Sequence, residues 1–211
     1  MENIIVLNKP KGITSHDAIS IYKKNNANIK KIGHAGTLDP NASGVLVVGI
    51  NSGTKKLAEL ILDDKEYIAT IKLGMETSTY DSEGDILFNE TLSLQENDIK
   101  NVIDNFNCKK YWQTPPIYSA IKIKGKKLYE YARKDIAIEI PPREVEIKCI
   151  EILSFDLQSS VVVLKMLVSK GFYIRSFAMD FAEKLNTKGT LTDLIRTKSG
   201  KFTLDDAKNL I

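Results

Sequence analysis

The apolar residues of this chain change their period in clumps, and that arrangement constrains the fold more than any other feature. An opening strand (Ile4 to Leu7) precedes a helix that Thr14 or Ser15 can cap and that runs to about Asn25, with Ala18, Ile19 and Tyr22 on one face. Val45 to Ile50 reads as a buried strand, and Leu57, Leu60 and Ile61 space a helix from Lys55 to about Asp63. Residues 66–74 alternate as a strand, 77–85 form a polar turn leading into Ile86-Leu87-Phe88, and Ser93 with Glu96 is a capping-box signature for a helix over 94–106. Ile117, Ile121 and Ile123 predict strand, Lys124-Gly125 a turn, and Leu128, Tyr131 and Ala132 a short helix. Three strand-like runs follow (AIEI, VEIKCIEILSF, SVVVLKMLVSKG), then a helix from about Tyr173 to Lys184, a short apolar run, a turn at SGKF and a last helix from about Thr203. Strict βαβ alternation is absent. A doubly wound nucleotide-binding fold is therefore disfavoured, and the pattern predicts α+β with a mixed, largely antiparallel sheet flanked by helices and loops.

Composition narrows the class. With 211 residues, 43% hydrophobic and 27% charged, the chain can bury a real core and has room for one large domain or one domain with a small appendage. The longest apolar runs, Val45 to Ile50 and Val161 to Leu164, fall well short of the about 20 residues that span a bilayer, so no membrane association is expected. The start MENIIVLNKPKG lacks a signal-peptide pattern, and Cys108 and Cys149 make neither a zinc spacing nor a disulfide framework. A reducing cytoplasm fits this usage. A net charge of +3 says little about nucleic acid. Within it, only Arg133, Arg143, Arg175 and Arg196 among 30 basic residues are arginine, and where lysine is the default cation an arginine points to a need for its planar fork.

Few motifs carry chemistry. Gly49-Ile50-Asn51-Ser52-Gly53-Thr54-Lys55 looks like a Walker loop, but it has three residues between its glycines instead of four and its lysine comes last. No GxSxG elbow is present, and two histidines, His16 and His34, give a Ser/His/Asp machine little to draw on. The segment Gly33-His34-Ala35-Gly36-Thr37-Leu38-Asp39-Pro40, followed by Asn41-Ala42-Ser43-Gly44, stands out. Pro40 pushes Asp39 toward extended backbone, while glycines on both sides allow tight bends. Asp39 either caps a turn or is a single carboxylate presented into a cleft, and His34 is either a general base or a turn histidine. The run Ile121 to Lys127 alternates apolar and basic residues, so Lys122, Lys124 and Lys126 form either a solvated strand face or an RNA-backbone contact. Tyr173 and Arg175, two apart, suit stacking on a base and pairing with a carboxylate or phosphate.

Six collinear blocks complete the picture: NKPKGITSHDAI (8–19), GHAGTLDPNASGVLVVGI (33–50), KEYIATIKLG with TSTYDSEGD (65–85), QTPPIYSAIKIKGKKLYEYAR (113–133), SKGFYIRSFAMD (169–180) and LTDLIRTKSGKFTLDDA (191–207). Together they resemble the TruB family of tRNA pseudouridine-55 synthases over nearly the whole chain. The resemblance implies a pseudouridine-synthase-like catalytic domain spanning 1–211, without the C-terminal PUA-type domain that many relatives carry. It implies that the T-loop uridine of tRNA is flipped out and isomerised, its glycosidic bond cut, the base rotated and a C-glycoside formed. It implies Asp39 as the catalytic carboxylate, acting by attack on the anomeric carbon or by removal of a ribose proton. It further implies His34 against the T loop, Tyr67 under the flipped base, Tyr173 and Leu194 beside it, and Arg175 paired with Asp39; Arg196, which falls in the last block, is grouped with the three lysines as an expected RNA-backbone contact. No metal or organic cofactor and no obligate protein partner are implied, and a monomer is expected. The family's histidine at the start of the last block is replaced by Thr190. Two other classes compete: a tRNA-binding or folding-helper module with lost or secondary isomerase activity, and a nucleoside hydrolase releasing free uracil.

Overall fold

A computed structural model describes residues 3–134 and 136–210, so the ends of the expected 1–211 domain lie outside the described residues. In chain order its elements are β1 (Ile4–Lys9), α1 (Ser15–Lys24), β2 (Ile32–Ala35), β3 (Ala42–Ile50), a 3-10 segment (Asn51–Lys56), α2 (Leu57–Leu60), β4 (Lys65–Leu73), β5 (Met75–Thr77), β6 (Ile86–Asn89), α3 (Glu96–Phe106) and β7 (Lys109–Gln113). There follow β8 (Lys122–Ile123), β9 (Lys126–Lys127), α4 (Leu128–Ala132), β10 (Arg143–Asp156), β11 (Val161–Val168), α5 (Ile174–Glu183), β12 (Gly189–Ser199), β13 (Phe202–Thr203) and a closing 3-10 turn (Leu204–Asp206). This is the α+β class with a mixed sheet. The chain divides into two compact units, one built from the segments up to Ile68, Lys165–Lys170 and from Asp193 on, the other from Ala69–Leu164 and Gly171–Thr192.

In the first unit β3 is central. It pairs antiparallel with the whole of β1, from Ile4 opposite Gly49 to Lys9 opposite Gly44. Its other edge is shared: β2 takes Val47 to Ile50 in antiparallel register, and β12 takes Ala42 to Gly44 in parallel register, with Leu194, Ile195 and Arg196 opposite. The loop 36–41 lies at this changeover. Both faces of β3 are covered, which explains its unbroken apolar run. Leu46 and Val48 join Leu7 and the α1 residues Ala18 and Ile19 on one face. Val45 and Val47 join Val6 and Ala35 on the other, with Leu57, Leu60 and Phe202 packed against them. α1 starts at a capping box in which Thr14 and Asp17 exchange side-chain and backbone bonds, so the cap is Thr14 rather than Ser15.

In the second unit β7 pairs antiparallel with β10, from Arg143 opposite Gln113 to Ile147 opposite Lys109. α5 is buried over eight of its ten residues, Arg175 and Ser176 among them. Phe177 is its hub, its ring 5.2 Å from Phe106, 6.0 Å from Phe172 and 5.8 Å from Phe181. β8 and β9 are a two-residue hairpin whose Lys124 and Gly125 both have positive φ, the primed turn expected from Lys-Gly.

Several local expectations are corrected. The cap of α3 is Gln95 with Asp98, and the helix begins at Glu96 instead of 94. The helix expected over 55–63 is a 3-10 segment followed by one α-turn, and the last helix is a single 3-10 turn. Strand around 117–123 shrinks to two residues, and AIEI (137–140) forms none, because Pro141 and Pro142 follow and cannot donate to a ladder. The short apolar run of the tail is instead the start of an eleven-residue strand, β12.

Candidate active site

Asp39 is half-buried in the 36–41 loop, between β2 and β3. The backbone on each side of it is fastened by side chains from elsewhere in the first unit. Ser15 Oγ accepts from Leu38 N (2.8 Å) and donates to Leu38 O (2.9 Å). Lys9, with no exposed surface, donates from Nζ to Pro40 O (3.1 Å), Pro10 O (2.8 Å) and Ile13 O (2.7 Å), and Gly12 N donates to Pro40 O (2.9 Å). Ala42 N closes the loop on Asp39 O at 3.1 Å. Such bonds satisfy loop carbonyls that burial would otherwise leave without water.

His34 is half-buried on β2 opposite Val48, and its Nδ1 is buried without a hydrogen-bond partner among the described residues. Burial, aided by the positive charges of Arg196 and His16, holds its imidazole below the usual range, so it is neutral at pH 7. Tyr67 lies on the buried face of β4, and Leu194 on β12 opposite Ala42. The first unit therefore gathers His34, Asp39, Tyr67 and Leu194 on β2, the loop and two strands. Arg196 departs from expectation. It is 1% exposed and donates to protein carbonyls, Val45 O at 2.7 Å and Gly36 O at 3.0 Å, so burial removes it from the RNA-backbone group. Lys65 is also buried, its Nζ donating to Ile61 O (2.7 Å) and Asp63 O (2.5 Å); burial and the Arg196 charge pull its ammonium down to about 8.

In the second unit Tyr173 is the residue before α5 and Arg175 sits in the first turn of that helix. Arg175 donates to Thr79 O (3.2 Å) and Tyr118 O (2.8 Å) and lies 3.5 Å from an Asp81 oxygen. Asp81 is itself held by Thr79 Oγ1 (2.6 Å) and Glu83 N (3.0 Å), so the polar turn 77–85 is a cradle for this guanidinium. Gln113 was not singled out by the sequence reading, although it opens the QTPP block. Its side chain accepts from Tyr173 N (2.8 Å) and donates to Tyr173 O (3.1 Å) and Tyr111 Oη (2.7 Å), and Tyr111 donates to Asp180 (3.1 Å). Thr190 is fully buried and donates to Met75 O at 2.9 Å. Lys122, Lys124 and Lys126 are exposed on the β8–β9 hairpin. Among the described residues no group of three His, Cys, Asp or Glu side chains could hold a metal ion, and no helix is long and apolar enough to cross a membrane.

Comparison with known proteins adds a consistent result. Residues 24–174 match the TruB family pseudouridylate synthase, N-terminal domain. The chain is 50% identical over 208 residues to the tRNA pseudouridine synthase B of Ureaplasma urealyticum serovar 10, covering 98% of this chain and 90% of the relative. It is 48% identical over 206 residues to that of Malacoplasma penetrans (98% and 88% covered) and 44% over 211 residues to that of Clostridium tetani (100% and 72%). Among solved structures, a chain of a Cbf5-Nop10-Gar1 complex superposes with a TM-score of 0.75 at 29% identity. That match covers 98% of this chain and 52% of the other, so the present chain spans about half of the solved one.

Proposed function

This chain belongs to the TruB family and is a tRNA pseudouridine synthase, an isomerase, and from that premise we propose that it acts on the T-loop uridine at position 55 with Asp39 as its catalytic group. The observation that carries the assignment of Asp39 is its loop: carbonyls at Gly36, Leu38, Pro40 and Val45 all accept bonds from side chains, so a single carboxylate is presented on fixed backbone. Catalysis by one positioned group rewards such preorganisation. The reaction breaks the bond from uracil N1 to ribose C1′ and forms one from C5 to C1′; the C5 proton is lost and N1 gains one. A carboxylate can attack C1′ and later leave, or remove a ribose proton so that the base departs; both routes need Asp39 ionised.

The uracil must leave its stack and be retained while it turns, which calls for surfaces that replace stacking. Tyr67 and Tyr173 are proposed for that role and Leu194 for apolar contact with the base. A neutral His34 suits hydrogen bonding to the T loop. Arg175 is proposed to favour the charged carboxylate of Asp39, and exposed Lys122, Lys124 and Lys126 to meet phosphates. A T-arm stem-loop carrying uridine tritiated at C5 tests the reading. Label is released by the wild-type protein, not from the same loop lacking its target uridine, and Asp39→Asn abolishes release while RNA binding stays nearly unchanged. Full activity in that variant refutes the role of Asp39, and free uracil in the products refutes isomerisation.

A further inference from the structure

We propose that Arg196 is a positioning residue for the isomerisation, its guanidinium clamping together the two ends of the loop that carries Asp39. The inference rests on the reading of Asp39 as the catalytic carboxylate. Gly36 and Val45 bracket that loop, and Arg196 reaches both, Nη2 to Gly36 O at 3.0 Å and Nε to Val45 O at 2.7 Å. Its backbone adds a third tie, pairing in parallel register with Gly44. Gly36 (φ +87°), where the loop begins, and Gly44 (φ +105°), three residues past its end within β3, both turn the chain in the left-handed region, next to the two carbonyls that the guanidinium meets. A methyl group on Gly36 would sit 3.5 Å from Arg196 Nη1, which shows how closely the fork lies against the loop.

Arginine chemistry explains the choice. A planar fork donates in two fixed directions at once, whereas a lysine ammonium is a point donor on a flexible stem. Among the described residues Arg196 donates to neutral carbonyls, and burying a cation against such partners is costly compared with filling the space by an apolar side chain. Such a cost is repaid where the geometry held is functional. Ser15 and Lys9 fix residues next to Asp39, and Arg196 fixes the frame in which they act.

The test is single-turnover label release from tritiated tRNA with enzyme in excess, read at the plateau reached as enzyme is raised. An unfolded fraction shifts the enzyme concentration needed and leaves that plateau rate unchanged. Arg196→Lys is expected to lower the plateau about 10²-fold, the order of loss that follows a misplacement of about 1 Å. Its tRNA Kd stays within about twofold. Arg196→Ala is expected to regain rate with added methylguanidinium and not with an equal concentration of sodium chloride. An unchanged plateau in Arg196→Lys overturns the proposal, as does equal response to the two salts. Amide exchange on the wild-type protein needs no variant to fold: the clamp requires the Leu38 and Ala42 amides to be protected like those of Val45–Val48, and rapid exchange there overturns it. Asp39→Asn run in parallel separates the two readings, since activity in that variant refutes the catalytic assignment, whereas a dead Asp39→Asn beside a fully active Arg196→Lys refutes only the clamp.

Discussion

Replacing Gly44 by alanine tests the parallel seam on which the loop depends. Gly44 has φ +105°, and a methyl group built on it would lie 2.2 Å from the carbonyl oxygen of Arg196. Carbon and oxygen approach to about 3.3 Å at closest in ordinary contacts, so β3 and β12 have to part by about 1 Å. Forcing extra atoms into a packed site costs about 1–3 kcal/mol. The left-handed backbone adds about 1–2 kcal/mol for a residue with a Cβ. Gly44→Ala is therefore expected to cost about 2–5 kcal/mol, against a total stability of about 5–15 kcal/mol for a typical domain. Two companion variants separate the contributions. Gly12 has φ +85° and a Cβ there meets nothing within 4 Å, so Gly12→Ala carries the backbone cost alone. Gly53 has no left-handed φ, but a Cβ there meets the Asn3 carbonyl oxygen at 2.1 Å, so Gly53→Ala carries the contact cost alone. The gain of about 0.4–1 kcal/mol from a stiffer unfolded chain is common to all three and cancels in the comparison. Urea titration followed by far-UV circular dichroism reads the difference; at a slope of about 2 kcal/mol per molar, the Gly44→Ala midpoint falls by about 1–2.5 M. A Gly44→Ala protein no less stable than Gly12→Ala refutes the steric argument.

Two further outcomes follow from the second unit. Burial pushes the Asp180 carboxyl up to about 6, against the pull of the Tyr111 hydroxyl, so the folded state binds a proton that the unfolded chain, near 3.8, has lost. Its contribution is present below about pH 4 and lost as pH rises through 6; Asp180→Asn removes that slope from thermal melts taken between pH 4 and 7, and an unaltered slope refutes the assignment. Gln113→Leu removes three hydrogen bonds, from Tyr173 N, to Tyr173 O (which keeps its bond from Phe177 N) and to Tyr111 (which keeps Asp180), at about 0.5–1.5 kcal/mol for each bond lost. A melting temperature equal to wild type would show that water replaces the amide.

What the sequence disclosed depended on how local the governing interaction was. The α1 cap, the Lys124-Gly125 turn and the β3 run were legible because neighbours in sequence decide them: Thr14 with Asp17, two residues of positive φ, and an unbroken apolar stretch. β12 was underestimated because seven of its eleven residues, Thr190, Thr192, Asp193, Arg196, Thr197, Lys198 and Ser199, are polar and break the apolar alternation, while its partner β3 lies about 150 positions away. Thr190 and Arg196 are paid for by bonds to Met75, Val45 and Gly36 that no periodicity reveals. At the candidate site, spacing alone left Asp39 between a turn cap and a presented carboxylate, and the collinear blocks singled it out. Gln113 escaped because an amide that grips a backbone sixty residues away leaves no trace in residue type.

The clamp on the Asp39 loop also sets a timetable for synthesis. Arg196 lies 151 positions after Val45 and 160 after Gly36, the two carbonyls it joins. At about 5–20 residues per second, the ribosome delivers that arginine roughly 8–30 s after the far end of the loop. For that interval β2 and β3 can zip together as a hairpin and β1 can join β3, but the edge of β3 that takes β12 at Ala42 to Gly44 has no strand beside it. Until then Asp39 rides on a loop that Ser15 and Lys9 hold near its middle but that lacks its frame, which is completed only when β12 is made.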